Sequence, residues 1–294
     1  MRVSTQQTYN FFVLQMHAAQ ARVMESEKQV LSGKRFEAAS ESPSDAHIVI
    51  TASSLMARIG QLDKNLRGAK DYLGNTEVAF TEVNDLVNHA YTLAVNGSNS
   101  TYDQTARDGM VKDIEEIQRR LAFVGNSTGA NGQYIFGGHK SDAKPFNVSP
   151  PNLVFAGDDN SVNVEIRPNE TMRVNLSGAG GLFTGIYSTL ETLKNDLQSG
   201  DVSSIGNTDI AALQDHLKAI NLVRGDVGTK LQTISGLAEQ NQKRTDDLSV
   251  QISEVQGIDL SEAITNMQAA QTAYAAALQV TAKSQNLSLM DFLR

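Results

Sequence analysis

Apolar positions recur every three and four residues from Tyr9 onward, through Phe12, Met16, Ala19, Val23 and Val30, with Ser26 completing the series. That seven-residue repeat predicts a helix with one narrow seam. It stops at Gly33, which can take the left-handed conformation that ends a helix, followed by Lys34 and Arg35 beside the negative helix end. A new start signal follows: Ser42 as cap, Pro43 in the first turn, then Ser44 and Asp45 near the positive end. The stretch between reads as an interdomain joint. Beyond it, Ile59, Leu62, Leu66 and Leu73 predict a second helix. Val83, Leu86, Ala90 and Leu93 carry it on, with an irregularity at Gly74, until Asn96-Gly97-Ser98-Asn99-Ser100 breaks it. Ile114, Ile117 and Leu121 mark a third helix started near Asp103.

The period then changes. Residues 125–185 are rich in Gly, Asn, Ser and Pro, and Val162, Val164 and Ile166 alternate with polar residues, as do Met172, Val174 and Leu176. A small β region is expected, with a hairpin turn at Gly157-Asp158-Asp159-Asn160. Helical spacing returns from Leu190 to Ile252, weakened locally by Gly225 and Gly228. A final helix carries Leu260, Ile264, Met267, Tyr274 and Leu278, with Leu287 and Leu289 near its end. The predicted class is α+β, mainly α. Five segments follow: 1–42, the first helix and joint; 43–128, half of a helical core; 129–185, the β-rich insertion; 186–256, the other half; and 257–294, the last helix.

The first and last helices, about residues 4–32 and 259–289, would be ~43 and ~46 Å long at 1.5 Å per residue. A narrow apolar seam on each cannot form a core alone, so they need each other or neighbouring molecules. Alanines at 269, 270, 273, 275, 276 and 277 permit close helix approach on more than one side.

Composition narrows the function. A formal charge of −8 in 294 residues argues against general attraction to nucleic acid or anionic lipid, and points to protein partners. With no cysteine there is no disulfide framework, thiolate nucleophile or cysteine metal site. The N-terminus lacks the pattern of a secretory signal and no apolar run approaches ~20 residues, so by these rules alone the chain reads as cytosolic. His17, His47, His89, His139 and His216 stand at no metal-ligand spacing, and no metal or cofactor is expected. Gly129, Gly132, Gly137 and Gly138 lack the Gly-Lys-Ser/Thr of a phosphate loop. Asp158-Asp159-Asn160 lacks the closing glutamate of a calcium loop, and Arg224-Gly225-Asp226 falls in a helical pattern. Nothing marks an enzyme.

Several stretches carry a family resemblance: Met1-Arg2-Val3-Ser4-Thr5-Gln6-Gln7, Leu31-Ser32-Gly33-Lys34-Arg35 with Pro43-Ser44-Asp45, and Asn131-Gly132-Gln133-Tyr134-Ile135-Phe136-Gly137-Gly138. Pro145-Phe146, Phe155-Ala156-Gly157-Asp158, Val223 to Leu231 and Leu287 to Arg294 extend it over nearly the whole chain. These resemble the flagellin family, and within it the hook-associated proteins of the hook–filament junction, to which Tyr134-Ile135-Phe136-Gly137-Gly138 points in particular. The resemblance departs at Ala46-His47-Ile48-Val49-Ile50, where the family commonly has Asp-Pro and small residues.

What the resemblance implies is a flagellin-like fold whose terminal helices pair as a coiled coil in an inner tube, under a helical core domain with the β insertion outside. It implies export, unfolded and without signal cleavage, through the flagellar type III apparatus, which replaces the cytosolic reading with an extracellular one. The implied partners are hook-associated protein 1, flagellin, further copies of the chain in a ring, and an export chaperone near the C-terminus. The expected function is a structural adaptor joining hook to filament. The alternatives are a divergent flagellin forming the filament itself and, from a different class, an adhesive module in the insertion.

Overall fold

The computed structural model describes residues 2–129 and 132–292, with the side chains of 2–6, 8, 9 and 284–292 outside the description. Along the chain come α1 (Arg2–Ser32), α2 (Pro43–Gly97), α3 (Gln104–Gly125), β1 (Phe146–Ser149), β2 (Asn152–Phe155), β3 (Asn163–Arg167) and β4 (Glu170–Arg173). Then follow α4 (Ala179–Ser199), the short α5 (Val202–Ser204), a π-helical turn (Ile205–Asp209), α6 (Ile210–Gln256) and α7 (Leu260–Phe292). The fold is α+β and mainly helical. The chain forms two compact units: residues 1–58 with 243–294, and residues 59–242. The division falls inside α2 and α6, and the joint expected at 33–43 lies within the first unit.

The second unit is built on a ring of phenylalanines. Phe183 of α4 lies 5.0 Å from Phe136 and from Phe146 and 5.9 Å from Phe80, centroid to centroid. Around them α3 turns inward Val111, Ile114, Ile117 and Leu121, and α4 turns inward Ile186, Leu190, Leu193 and Leu197, all buried. Asp103 starts α3 as expected, its carboxylate accepting the Ala106 N–H at 2.8 Å. A smaller cluster joins Leu66 and Leu73 of α2 to Val227, Ile234 and Leu237 of α6 beneath Ile166 and Val174 of the second hairpin. Gly74 and the Gly225–Gly228 pair do not interrupt their helices, because buried neighbours such as Leu73 and Phe80, and Val227, outweigh a local cost of ~1 kcal/mol per glycine. Arg224 is tied within α6 to Glu77 of α2 at 2.7 Å, so its tripeptide is not displayed in an extended loop.

The β region is two separate antiparallel hairpins. In β3–β4, Val164 faces Met172 and Glu165 faces Thr171, with a bulge before Arg167, and the turn is at Pro168-Asn169, where Asn169 has φ 64°. The hairpin turn expected at 157–160 is instead the connection between the two hairpins. Asp158 there accepts the backbone N–H groups of His139 (3.0 Å) and Asn160 (3.1 Å), and these bonds hold its carboxyl below the usual carboxylate range. The β1–β2 hairpin, which pairs Phe146 with Phe155, went unpredicted because four-residue strands give too little alternation. Its signal was the Pro150-Pro151 break between Phe146/Val148 and Leu153/Phe155.

Candidate assembly surface of the terminal helices

Within the first unit the joint is tied down. Gly33 has φ 67°, the left-handed end predicted for α1, and its N–H reaches Gln29 O at 2.9 Å. The chain then runs against the turn between α6 and α7. Arg35 N–H donates to Gln256 O at 2.7 Å, its guanidinium to Val255 O at 2.9 Å, and the Gln256 amide to Phe36 O at 3.0 Å. The same guanidinium meets Asp45 at 2.5 Å, whose carboxylate also accepts the Ser42 hydroxyl at 2.9 Å. Phe36 and Ala46 are buried beneath this network. Pro43 opens α2 and Ser44 stays exposed. Lys28 bridges to Glu41 (3.1 Å) and Glu37 (3.6 Å) on the outside, where solvent screening leaves such pairs little energetic weight. The segment is therefore fixed by side chains that the sequence shows only as a charged, Ser-rich loop.

The α1 and α7 helices pack along each other, antiparallel: Lys34 bridges to Gly257 at one end, and Gln271 reaches Glu27 at 3.3 Å further along. On α1 the predicted seam residues Phe12, Met16, Ala19, Val23 and Val30 are all half-buried, as are Val13 and the last turns from Ser26 to Gln29. Tyr9, predicted with them, lies outside the described side chains, as do Leu287 and Leu289 of α7. On α7 the expected seam residues divide by burial in the isolated chain. Met267 and Tyr274 are half-buried, together with Ala270 and Ala277, and Ala263 and Thr281 are buried, which sets this face of α7 toward its packing partner α1. Leu260, Ile264 and Leu278 are exposed. Two helices in close contact favour small residues on the line of approach, so alanine takes the place where sequence reasoning put leucine. The signal was present: Ala263, Ala270 and Ala277 repeat every seven residues, as do Met267, Tyr274 and Thr281.

The displaced aliphatics form an uncovered surface. Leu260 and Ile264 are 54% and 37% exposed, and on α1 Phe11, Leu14, Met24 and Leu31 reach 56%, 67%, 63% and 87%. No described residue of α1 is fully buried. A groove of about 410 Å³, lined by Ala19, Ser26, Ala269 and Ala273 among others, runs beside the seam. Such a set of large apolar groups on one element marks an interaction surface rather than scattered exposure.

The glycine-tyrosine motif lies elsewhere, in the second unit, and is a plug. Ile135 and Phe136 are buried in the phenylalanine core, Tyr134 is half-buried with its N–H on Ser141 O at 2.8 Å, and Gly132 has φ 78°. Tyr72 of α2 donates its hydroxyl to Ile135 O, and burial pushes that phenol up to about 12. Gly137 O accepts the N–H groups of Lys140 (3.1 Å) and Asp158 (3.2 Å). Gly138, at φ 64°, sits so close to Asp158 that any Cβ would collide with its backbone. Among the described residues no group of three or more His, Cys, Asp or Glu is placed to hold a metal ion, and no helix is long and apolar enough to cross a membrane.

Both uncovered helices fall inside regions matched by known proteins. The bacterial flagellin N-terminal helical region matches residues 3–141 and the bacterial flagellin C-terminal helical region matches residues 210–293. The chain belongs to the flagellin family. Its likeness to flagellar hook-associated protein 3 of Salmonella typhimurium runs end to end, 24% identical over 320 aligned residues and covering 100% of each. Among solved structures it resembles a putative flagellar hook-associated protein from Vibrio parahaemolyticus, with a TM-score of 0.66, 15% identity, and 74% of this chain and 100% of that one covered. It also resembles the flagellar junction protein FlgL from Legionella pneumophila, with a TM-score of 0.62, 12% identity, and 71% and 100% covered. These two likenesses establish the fold. The flagellin regions take in α1 to α3, the plug motif, α6 and α7, while the strands and α4 lie between them.

Proposed function

We propose that this chain is a structural adaptor of the bacterial flagellum, joining the hook to the flagellin filament. The observation that carries an assembly role is the α1–α7 pair, which closes one seam on itself and leaves Phe11, Leu14, Met24, Leu31, Leu260 and Ile264 in water. Full burial of a side chain of this size is worth ~1.5–3 kcal/mol. Several together offset the loss of freedom on joining a lattice, and they act only where neighbouring subunits supply the other half of the surface. End-to-end likeness to a hook-associated protein 3 favours the junction over the filament. The partners are then hook-associated protein 1 below, flagellin above and further copies of the chain in a ring, with an export chaperone on the C-terminal helix before secretion through the type III apparatus. The role requires no catalysis and no cofactor.

Deletion of the gene tests this. The expected phenotype is intact hooks, flagellin released into the medium and no filaments, restored when the chain is supplied in trans. Electron microscopy of the purified protein separates the rival reading: long filaments formed by this chain alone would make it a flagellin and overturn the adaptor role.

A further inference from the structure

Between α2 and the plug motif, inside the second unit, lies a cavity of about 500 Å³ whose polar walls the adaptor role does not use. One wall is a stripe of α2: Gly68, Asp71, Tyr72 and Asn75 follow one another at helical spacing and share one face. The other wall is the segment 133–141, which contributes Tyr134 and Ser141. That segment is held in place. The Tyr134 N–H donates to Ser141 O at 2.8 Å, the His139 N–H donates to Asp158 Oδ1 at 3.0 Å, and the Tyr72 hydroxyl ties α2 to Ile135 O. Asn75, Tyr134 and Ser141 are half-buried and Asp71 is exposed, and the polar groups of these side chains have no hydrogen-bond partner on the described residues. Unpaired donors and acceptors thus surround one space. Gly68 leaves that space open, because a Cβ there would meet nothing within 4 Å.

The chemistry of the lining selects the ligand. Among the described residues neither lysine nor arginine lines the cavity, so an anion such as phosphate would find no counter-charge beside Asp71. A single carboxylate supplies too few ligands for a metal ion, and a purely apolar guest would strip water from carboxylate, amide and hydroxyl groups without replacing it. A neutral molecule rich in hydroxyl groups satisfies all of them. Its hydroxyls donate to the Asp71 carboxylate and both donate to and accept from the Asn75 amide one turn further along α2, while its C–H groups pack on the Tyr134 ring. We propose that this cavity binds a neutral saccharide of one or two rings, held by Asp71 and Asn75 from α2 and by Tyr134 and Ser141 from the segment opposite. The volume lies within the ~300–1,000 Å³ of small-molecule sites. Because both walls are already fixed, binding loses little freedom of the protein. The site lies wholly within residues 59–242, so its test does not depend on the assembly role.

The test is amide NMR of the full chain titrated with glucose, galactose, N-acetylglucosamine, maltose and lactose to ~50 mM, well above the ~1 mM dissociation constant expected of a site with so few hydrogen bonds. At least one sugar should shift the Asn75 side-chain amide and the backbone amides of Gly68, Tyr134 and Ser141. Two variants locate the site. Gly68→Leu fills the cavity from an open position and, leucine being the better helix former, should keep the melting temperature at or above the parent's while abolishing the shifts. Asn75→Ala removes the amide and should weaken binding roughly tenfold. Absence of shifts with every sugar overturns the proposal, as does binding that either folded variant leaves unchanged. Tighter binding of inorganic phosphate than of any sugar overturns it as well.

Discussion

Replacing Leu14 and Ile264 together with aspartate should leave the free protein's unfolding free energy within about 1 kcal/mol of the parent, and should abolish filament growth in cells that depend on it. Both side chains are exposed in the isolated chain, at 67% and 37%, so a carboxylate at either place stays hydrated there. In the proposed lattice the same positions are covered by neighbours, and an unpaired carboxylate driven from water costs several kcal/mol. Two such sites at ~3 kcal/mol each would weaken incorporation by ~10⁴-fold, far beyond what a growing tube tolerates. Complementation of a deletion strain, scored by electron microscopy, gives the answer. Normal filaments on cells carrying the double variant would show that this surface is not used in assembly.

The second large effect belongs to the other unit. Phe183→Ala should destabilise residues 59–242 by ~3–5 kcal/mol, the range for emptying a buried aromatic site. The reason is geometric. Phe183 is fully buried and touches Phe80, Phe136 and Phe146, which come from α2, the plug motif and β1, so its loss opens a cavity where three separate stretches of chain meet. For a unit of this length the melting point should fall by roughly 10 °C or more. Denaturant unfolding of parent and variant measures it directly. A loss below ~1 kcal/mol would mean that these rings do not form the centre of the core.

Much of this architecture can be read from spacing alone, and the exceptions share a cause. The long helices are legible because one apolar face repeats over many turns, as from Phe12 to Val30 or Ile114 to Leu121. The β3–β4 hairpin is legible because Val164, Ile166 and Met172 alternate. What stayed hidden depends on contacts between distant residues. Ala263, Ala270 and Ala277 look like mere helix formers until α1 lies against them, and only then does Ile264 become an outer residue. Arg35 looks like a charge at a helix end, but its partners, Val255 and Gln256, lie some 220 residues away. The π turn at Ile205–Asp209 buries an aspartate, Asp209, and no periodicity announces that turn.

At the centre of this account are two terminal helices that cover each other on one side and wait for other subunits on the other. Amide hydrogen exchange, followed residue by residue in the free chain and again in isolated flagella, tests it most directly. The expected result is rapid exchange in residues 11–31 and 260–281 of the free protein, slow exchange around Ile114 and Leu190, and strong protection of all four regions after assembly. Terminal helices already as protected in the free chain as α3 and α4, with no change on assembly, would contradict it.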